Sequence, residues 1–161
     1  MPVPHIPTTA IPPIDTERLT LRGHRLEDFT ESAAMWADPE VTRHIGGKPF
    51  SAEEVWTRLL RYVGHWSLMG FGYWVIRERA SGRFVGEVGF ADYKRNIEPS
   101  LGGVPEIGWA LASWARGKGF ATEAVRAAVA WGCGALRVRA HCMFDHERTT
   151  YKGQPILIFE R

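Results

Sequence analysis

Residues Ser113–Gly132 read SWARGKGFATEAVRAAVAWG, with Arg116, Gly117, Lys118 and Gly119 crowded ahead of an unbroken helical pattern. The apolar positions Ala121, Ala124, Val125, Ala128, Val129 and Gly132 keep one face while Glu123 and Arg126 take the other. A helix is therefore expected to begin near Phe120. Free amides at a helix start and the positive end of its dipole attract anions, and glycines let the backbone approach phosphate oxygens closely. Arg116 and Lys118 would add charge there. The alternative is a plain strand-to-helix turn with solvated cations, since glycine-rich turns are common. Two familiar phosphate loops do not fit, because GKGFAT lacks the GxxxxGK[ST] order and contains no GxGxxG.

Immediately upstream, Glu106 to Leu111 (EIGWAL) predicts a strand running straight into this stretch. Before it, FGYWVIRERASGRFVGEVGFADY (Phe71 to Tyr93) holds two β-rich runs around a polar turn near Ser81 and Gly82, an antiparallel hairpin. Leu19, Thr20 and Leu21 predict a short strand, and Leu26, Phe29, Ala33 and Trp36 recur at helical spacing. Gly46, Gly47 and Pro49 break that pattern, after which Ser51 and Glu54 form a capping box for a helix carrying Val55, Leu59, Tyr62 and Val63. Downstream, Leu136 to Met143 predicts a strand, and TTYKGQPILIFE a hairpin turning at Lys152 and Gly153. The order strand, helix, helix, three strands, helix implies an α/β (α+β) fold with a mostly antiparallel central sheet flanked by helices.

Composition narrows the function. The chain has 161 residues, 45% hydrophobic and 24% charged, which suits one domain with an ordinary core. Twenty basic side chains nearly balance 18 acidic ones, for a net charge of +2, without the sustained basic stripe of a nucleic-acid binder. Cys133 and Cys142 are too few for a disulfide framework and lack the paired spacing of a zinc site, so reduced thiols in a cytoplasmic protein are expected, with no metal. The start, MPVPHIPTTAIPPID, carries five prolines within thirteen residues and no basic segment leading into an apolar run. Residues 1–14 are expected to form an extended arm rather than a signal peptide or membrane span, and residues 15–161 a single domain.

Arg116-Gly117-Lys118-Gly119-Phe120-Ala121 resembles the R/Q-x-x-G-x-G/A acetyl-CoA motif of the GNAT N-acetyltransferase superfamily. DTERLTLR (Asp15 to Arg22), GEVGF (Gly86 to Phe90), PEIGWAL (Pro105 to Leu111) and TTYKGQPILIFER are similar to the branch containing the ribosomal-protein N-terminal acetyltransferases, the Rim-type branch. The resemblance implies acetyl-CoA as cosubstrate, with its pyrophosphate on main-chain amides across Arg116, Gly117, Lys118, Gly119 and Ala121 and a further bond from the Thr122 hydroxyl. It implies too that the strand ahead of the motif, here Trp109, Leu111, Ala112 and Ser113, pairs with the pantetheine arm as an added β-edge. The acceptor it implies is a primary amine, either a protein N-terminus or a small molecule, and it leaves a homodimer open. A non-catalytic acyl-CoA-binding regulator is the rival from another class.

Acetyl transfer needs a neutral amine, and an α-amine titrates near pH ~8 and a lysine near ~10.4, so a carboxylate that relays the proton through water is expected. Glu106 is the first candidate, because it resembles the position where several family members carry a catalytic glutamate, and Glu87 on the neighbouring strand is the second. The oxyanion would be met by a main-chain amide near Leu111 or Ala112. Attack within a ternary complex is expected, since no nucleophile is suitably placed. His141 is expected to be a strand residue, and most of the seven tryptophans, Trp36 among them, core.

One departure from the family pattern stands out. Relatives place a helix between the fifth strand and the last hairpin, whereas RVRAHCM here meets FDHERTTYKG directly. A parallel crossover needs about a dozen residues or more. Either a segment between Met143 and Phe144 is missing from the chain as written, or the protein has a deletion and a rearranged end; the general acid stays unassigned.

Overall fold

The computed structural model describes residues 11–96 and 104–136 and the backbone of two strands, Thr149–Tyr151 and Gln154–Ile156. Five antiparallel strands form one sheet in chain order: β1 Ile14–Asp15, β2 Leu19–Arg22, β3 Tyr73–Glu78, β4 Phe84–Ala91 and β5 Glu106–Leu111. Between β2 and β3 lie α1 Phe29–Ala37, α2 Pro39–Thr42 and α3 Ala52–Met69, and after β5 comes α4 Phe120–Ala135. The strands β6 Thr149–Tyr151 and β7 Gln154–Ile156 pair antiparallel, as the terminal hairpin was expected to. The expected strand over Leu136–Met143, its junction with Phe144, and His141 and Cys142 lie outside the described residues. Among the described residues no helix is long and apolar enough to cross a membrane.

Local chemistry accounts for the element ends. Ser51 Oγ accepts from the Glu54 amide while Glu54 Oε2 accepts from the Ser51 amide at 2.8 Å, so both partners of the expected capping box close. Gly70 ends α3 at φ 72°, in the left-handed region that relieves a helix C-terminus. Two elements are absent from the sequence reading. β1 is two residues long and α2 a single turn whose first residue, Pro39, follows the capping carboxylate of Asp38; neither is long enough to show a period.

Every residue of β4 is buried, because both sheet faces are covered. On one face α4 and the end of α3 close over Trp74, Ile76, Val85, Val88 and Phe90. On the other, α1 and α3 lie over Val75, Phe84 and Ala110. The proline-rich arm is tied down where it is described: Ile11 and Ile14 pack against the larger core, and Pro12 O accepts from Trp74 Nε1 at 2.9 Å.

Two irregularities shape the site. Between Ile76 and Arg77 the β3–β4 register slips by one residue, leaving Val85 extra. Further along, Tyr73, Gly89 and Gly108 stand in one row across β3, β4 and β5. A Cβ on Gly108 would lie 2.1 Å from Tyr73 Oη, so the phenol reaches across β4 to β5 only because glycine stands there.

Candidate functional site

β5 connects two features. Positions Glu106, Gly108 and Ala110 lie on the face toward α1 and α3, as do Glu87 and Ala91 opposite them on β4. Glu87, Glu106, Gly108 and Ala110 floor a cavity of about 820 Å³ whose walls include Trp36, Arg58, Tyr62 and Tyr93. Beyond the end of β5 the chain makes a single 3-10 turn, Ser113–Ala115, and enters α4 through Gly119. The strand spans roughly 17 Å, so one extended molecule lying along it would touch both the cavity and the helix start.

At the helix start the two glycines do different work from the two cations. Gly117 and Gly119 adopt φ 73° and 78°, conformations costly for any residue with a Cβ. Nothing lies within 4 Å of where a Gly117 Cβ would stand. α4 has no side-chain cap, so the amides of its first turn, Phe120, Ala121 and Thr122, are open to a ligand; Ala121 is half-buried and Thr122 exposed. Neither cation points freely outward: Lys118 Nζ stands 4.8 Å over the Trp114 ring, and Arg116 Nη2 donates to Glu40 O at 2.6 Å. The Arg116 amide is also engaged, with Ser113 O, while the Ser113 hydroxyl donates to Asp38. Arg116 and Ser113 thus fasten the loop to α2, and the uncommitted donors belong to the segment from Gly117 onward.

Along β5 the backbone separates two amides that the sequence left equivalent. Ala112 N–H donates to Val85 O, the bulged residue, at 2.9 Å and is therefore no candidate for an oxyanion. Alternation along an antiparallel edge then turns the amides of Ile107, Trp109 and Leu111 away from β4, toward the side on which no strand pairs among the described residues. Trp109 is 41% exposed and is among the residues that line the cavity.

The two carboxylates differ sharply. Glu87 is 1% exposed and accepts from Ser32 Oγ at 2.7 Å, Trp36 Nε1 at 3.0 Å and His24 Nε2 at 3.3 Å. Burial alone would push its carboxyl up, but these donors outweigh it and hold the group below the usual carboxylate range. With its lone pairs occupied, Glu87 fastens α1 and the loop carrying His24 to the centre of the sheet. Glu106 lines the cavity and pairs with Arg95, whose Nε lies 2.8 Å from both of its oxygens.

Two phenols complete the wall. Tyr62 and Tyr73 stack 4.4 Å apart, and burial pushes both hydroxyls up from the ordinary phenol range, so both stay protonated. Both ring nitrogens of His65 are engaged, Nδ1 with Phe71 O at 2.6 Å and Nε2 with the Asp92 amide at 3.0 Å, which joins α3 to the end of β4.

The Acetyltransferase (GNAT) domain family matches residues 18–150, taking in the cavity and the α4 start together. The chain belongs to the GNAT acetyltransferase family. As a GNAT protein it is an N-acetyltransferase, a class that uses acetyl-CoA. It is 33% identical over 136 residues, 83% of this chain and 74% of the relative, to the uncharacterized N-acetyltransferase p20 of Bacillus licheniformis. Its fold matches the acetyltransferase from Agrobacterium tumefaciens str. C58 with a TM-score of 0.74 at 23% identity, covering 94% of this chain and 95% of the other. A spermidine N-acetyltransferase from Vibrio cholerae, solved with CoA and spermine, shares the fold at a TM-score of 0.60 and 17% identity, over 89% and 94% of the two chains.

Within this GNAT fold, the sequence missed the cavity's far wall. Trp36, read as core, both donates to Glu87 and lines the cavity, and Arg58 and Tyr62 arrive from α3. The only local signal was an arginine, Arg58, among the apolar positions of α3, beside Val55, Leu59 and Tyr62.

Proposed function

We infer that this GNAT protein moves an acetyl group from acetyl-CoA to a primary amine seated in the cavity, by direct attack within a ternary complex. The observation that supports it best is β5 itself, which has no second partner strand among the described residues and runs from a carboxylate-lined cavity to a glycine-shaped helix start. Acetyl-CoA would lie along that edge, its pantetheine meeting Trp109 and Leu111 and its pyrophosphate meeting the amides of Gly117 through Ala121, with Thr122 Oγ1 beside them. The glycine conformations and the uncapped first turn fit such a group.

Glu106 is the proton acceptor in this account, acting through water on the bound ammonium, and the Leu111 amide faces the developing oxyanion. Glu87 serves as a positioning residue. The acceptor is either a protein N-terminus, in keeping with the Rim-type sequence resemblance, or a small molecule. Release of CoA that depends on added amine, measured with the intact chain, tests the inference; CoA binding without such release would instead favour a regulator.

A further inference from the structure

Four cations, Arg58, Arg61, Lys94 and Arg95, line the cavity against three carboxylates, Glu87, Asp92 and Glu106. Lys94 pairs with Asp92 and Arg95 with Glu106, and Glu87 is held by His24, Ser32 and Trp36. Arg58 and Arg61, three residues apart on α3, also line the cavity, and neither has a carboxylate within ion-pair distance among the described residues. Arg58 is the better placed. Its guanidinium lies 4.3 Å over the Trp36 ring and 4.9 Å over Phe50, and Nη1 donates to Tyr62 Oη at 3.0 Å. The remaining N–H groups have no acceptor among the described residues and are not sealed from solvent, so they open on the cavity. Arg61 is exposed at the rim, 5.0 Å over Tyr93.

A guanidinium stacked on aromatic rings is orientated in advance and poorly hydrated, which suits a planar fork to two oxygens of an anion. Two cations without a direct ion-pair partner among the described residues also oppose a polyamine, whose every nitrogen carries positive charge. They favour the neutral form of a lone amine, the form that attacks. Given the acetyl transfer inferred above, we propose that the acceptor is a small primary amine carrying an oxyanion group, with Arg58 as its bidentate anchor and Arg61 as the rim cation. A cavity of about 820 Å³ accommodates a molecule of that kind. Carboxylates and phosphates present the same oxygens, and the test separates them.

The test pairs amines that differ only in the anion: β-alanine against its amide, and phosphoethanolamine against ethanolamine, with spermidine as the polycation. Turnover is measured at saturating acetyl-CoA, and binding to the CoA-loaded chain by calorimetry. The anionic member of at least one pair should lead in kcat/KM by about tenfold or more. That ratio should fall toward one in Arg58→Lys, which keeps the charge but not the fork, and in Arg58→Gln. If those variants do not fold, Arg61→Gln must lower the ratio at its exposed position. A preference for the neutral members or for spermidine, or a ratio unchanged in folded variants, overturns the proposal. Should no amine be acetylated while an anionic member binds in an Arg58-dependent way, the acetyl transfer fails and the oxyanion site stands; binding by neither removes the oxyanion site.

Discussion

Arg95 Nε lies 2.8 Å from each carboxylate oxygen of Glu106, at the end of β5 that floors the cavity. An acceptor carboxylate held in this way is fixed in position but retains lone pairs for a water. Glu106→Gln keeps the shape and loses the capacity to take a proton, so turnover at neutral pH should fall roughly 100-fold. Part of the rate should return as pH rises toward the amine's own pKa of about 8 to 10, where the substrate arrives neutral. Rates from pH 6 to 10 at saturating acetyl-CoA check this, and a profile identical to the parent's would remove Glu106 from the mechanism.

Gly119 at φ 78° is expected to matter more for CoA than Lys118. A β-branched residue there is strained and brings a Cβ to 3.4 Å from Arg18 Nη2. Lys118 is an exposed cation resting on Trp114, so its removal should cost only about 0.5 kcal/mol of binding. CoA titration of Gly119→Val and Lys118→Ala, each checked for folding, should show the larger loss in the first. Equal losses would mean that side-chain charge governs the site.

Glu87→Gln should act first on stability. The amide leaves His24 without its anion and forces one buried donor toward another, at a cost of about 1 to 3 kcal/mol. Urea unfolding would register this. A parent-like midpoint would contradict the positioning role.

Asp28 gives the fold a defined acid sensitivity. Burial opposes its charge, but Arg22 at 2.8 Å, Arg77 at 2.5 Å and the Arg25 amide together lower its carboxyl to about 2. An unfolded aspartate titrates near ~3.9. Ionised Asp28 therefore stabilises the fold fully above that value, by about 2 kcal/mol, and the contribution disappears as pH falls through about 2. Asp28→Asn should cost about 3 kcal/mol at pH 7, because Arg22 loses its carboxylate and Arg77 keeps only Glu31. The gap between variant and parent in denaturant unfolding should narrow below pH ~4; a constant gap would show that the charge is not what stabilises.

What could be read in advance was local. The first residue of α4, the bounds of β5 and the Ser51–Glu54 box depend on neighbours within a few positions, and periodicity or capping chemistry reports them directly. The cavity's character depends on partners far apart in the chain. Glu87 is quenched by residues 51 to 63 positions away, which nothing in GEVGF announces. Trp36 was read as core and is buried, yet it also walls the cavity, which its place in the sequence does not announce. Ala112 lost its candidacy as oxyanion donor to a bond with Val85 O that continues the β4–β5 ladder, which composition does not reveal.

The most direct measurement follows the acetyl group itself. Acetyl-CoA labelled in the acetyl carbon is incubated with the intact chain and the amine acceptors, and both the label in each amine and the CoA released are counted. Transfer along β5 predicts label in the amine in equal amount to CoA, strongly reduced in Gly119→Val. CoA released without labelled amine, or tight CoA binding with no release for any amine, would contradict it.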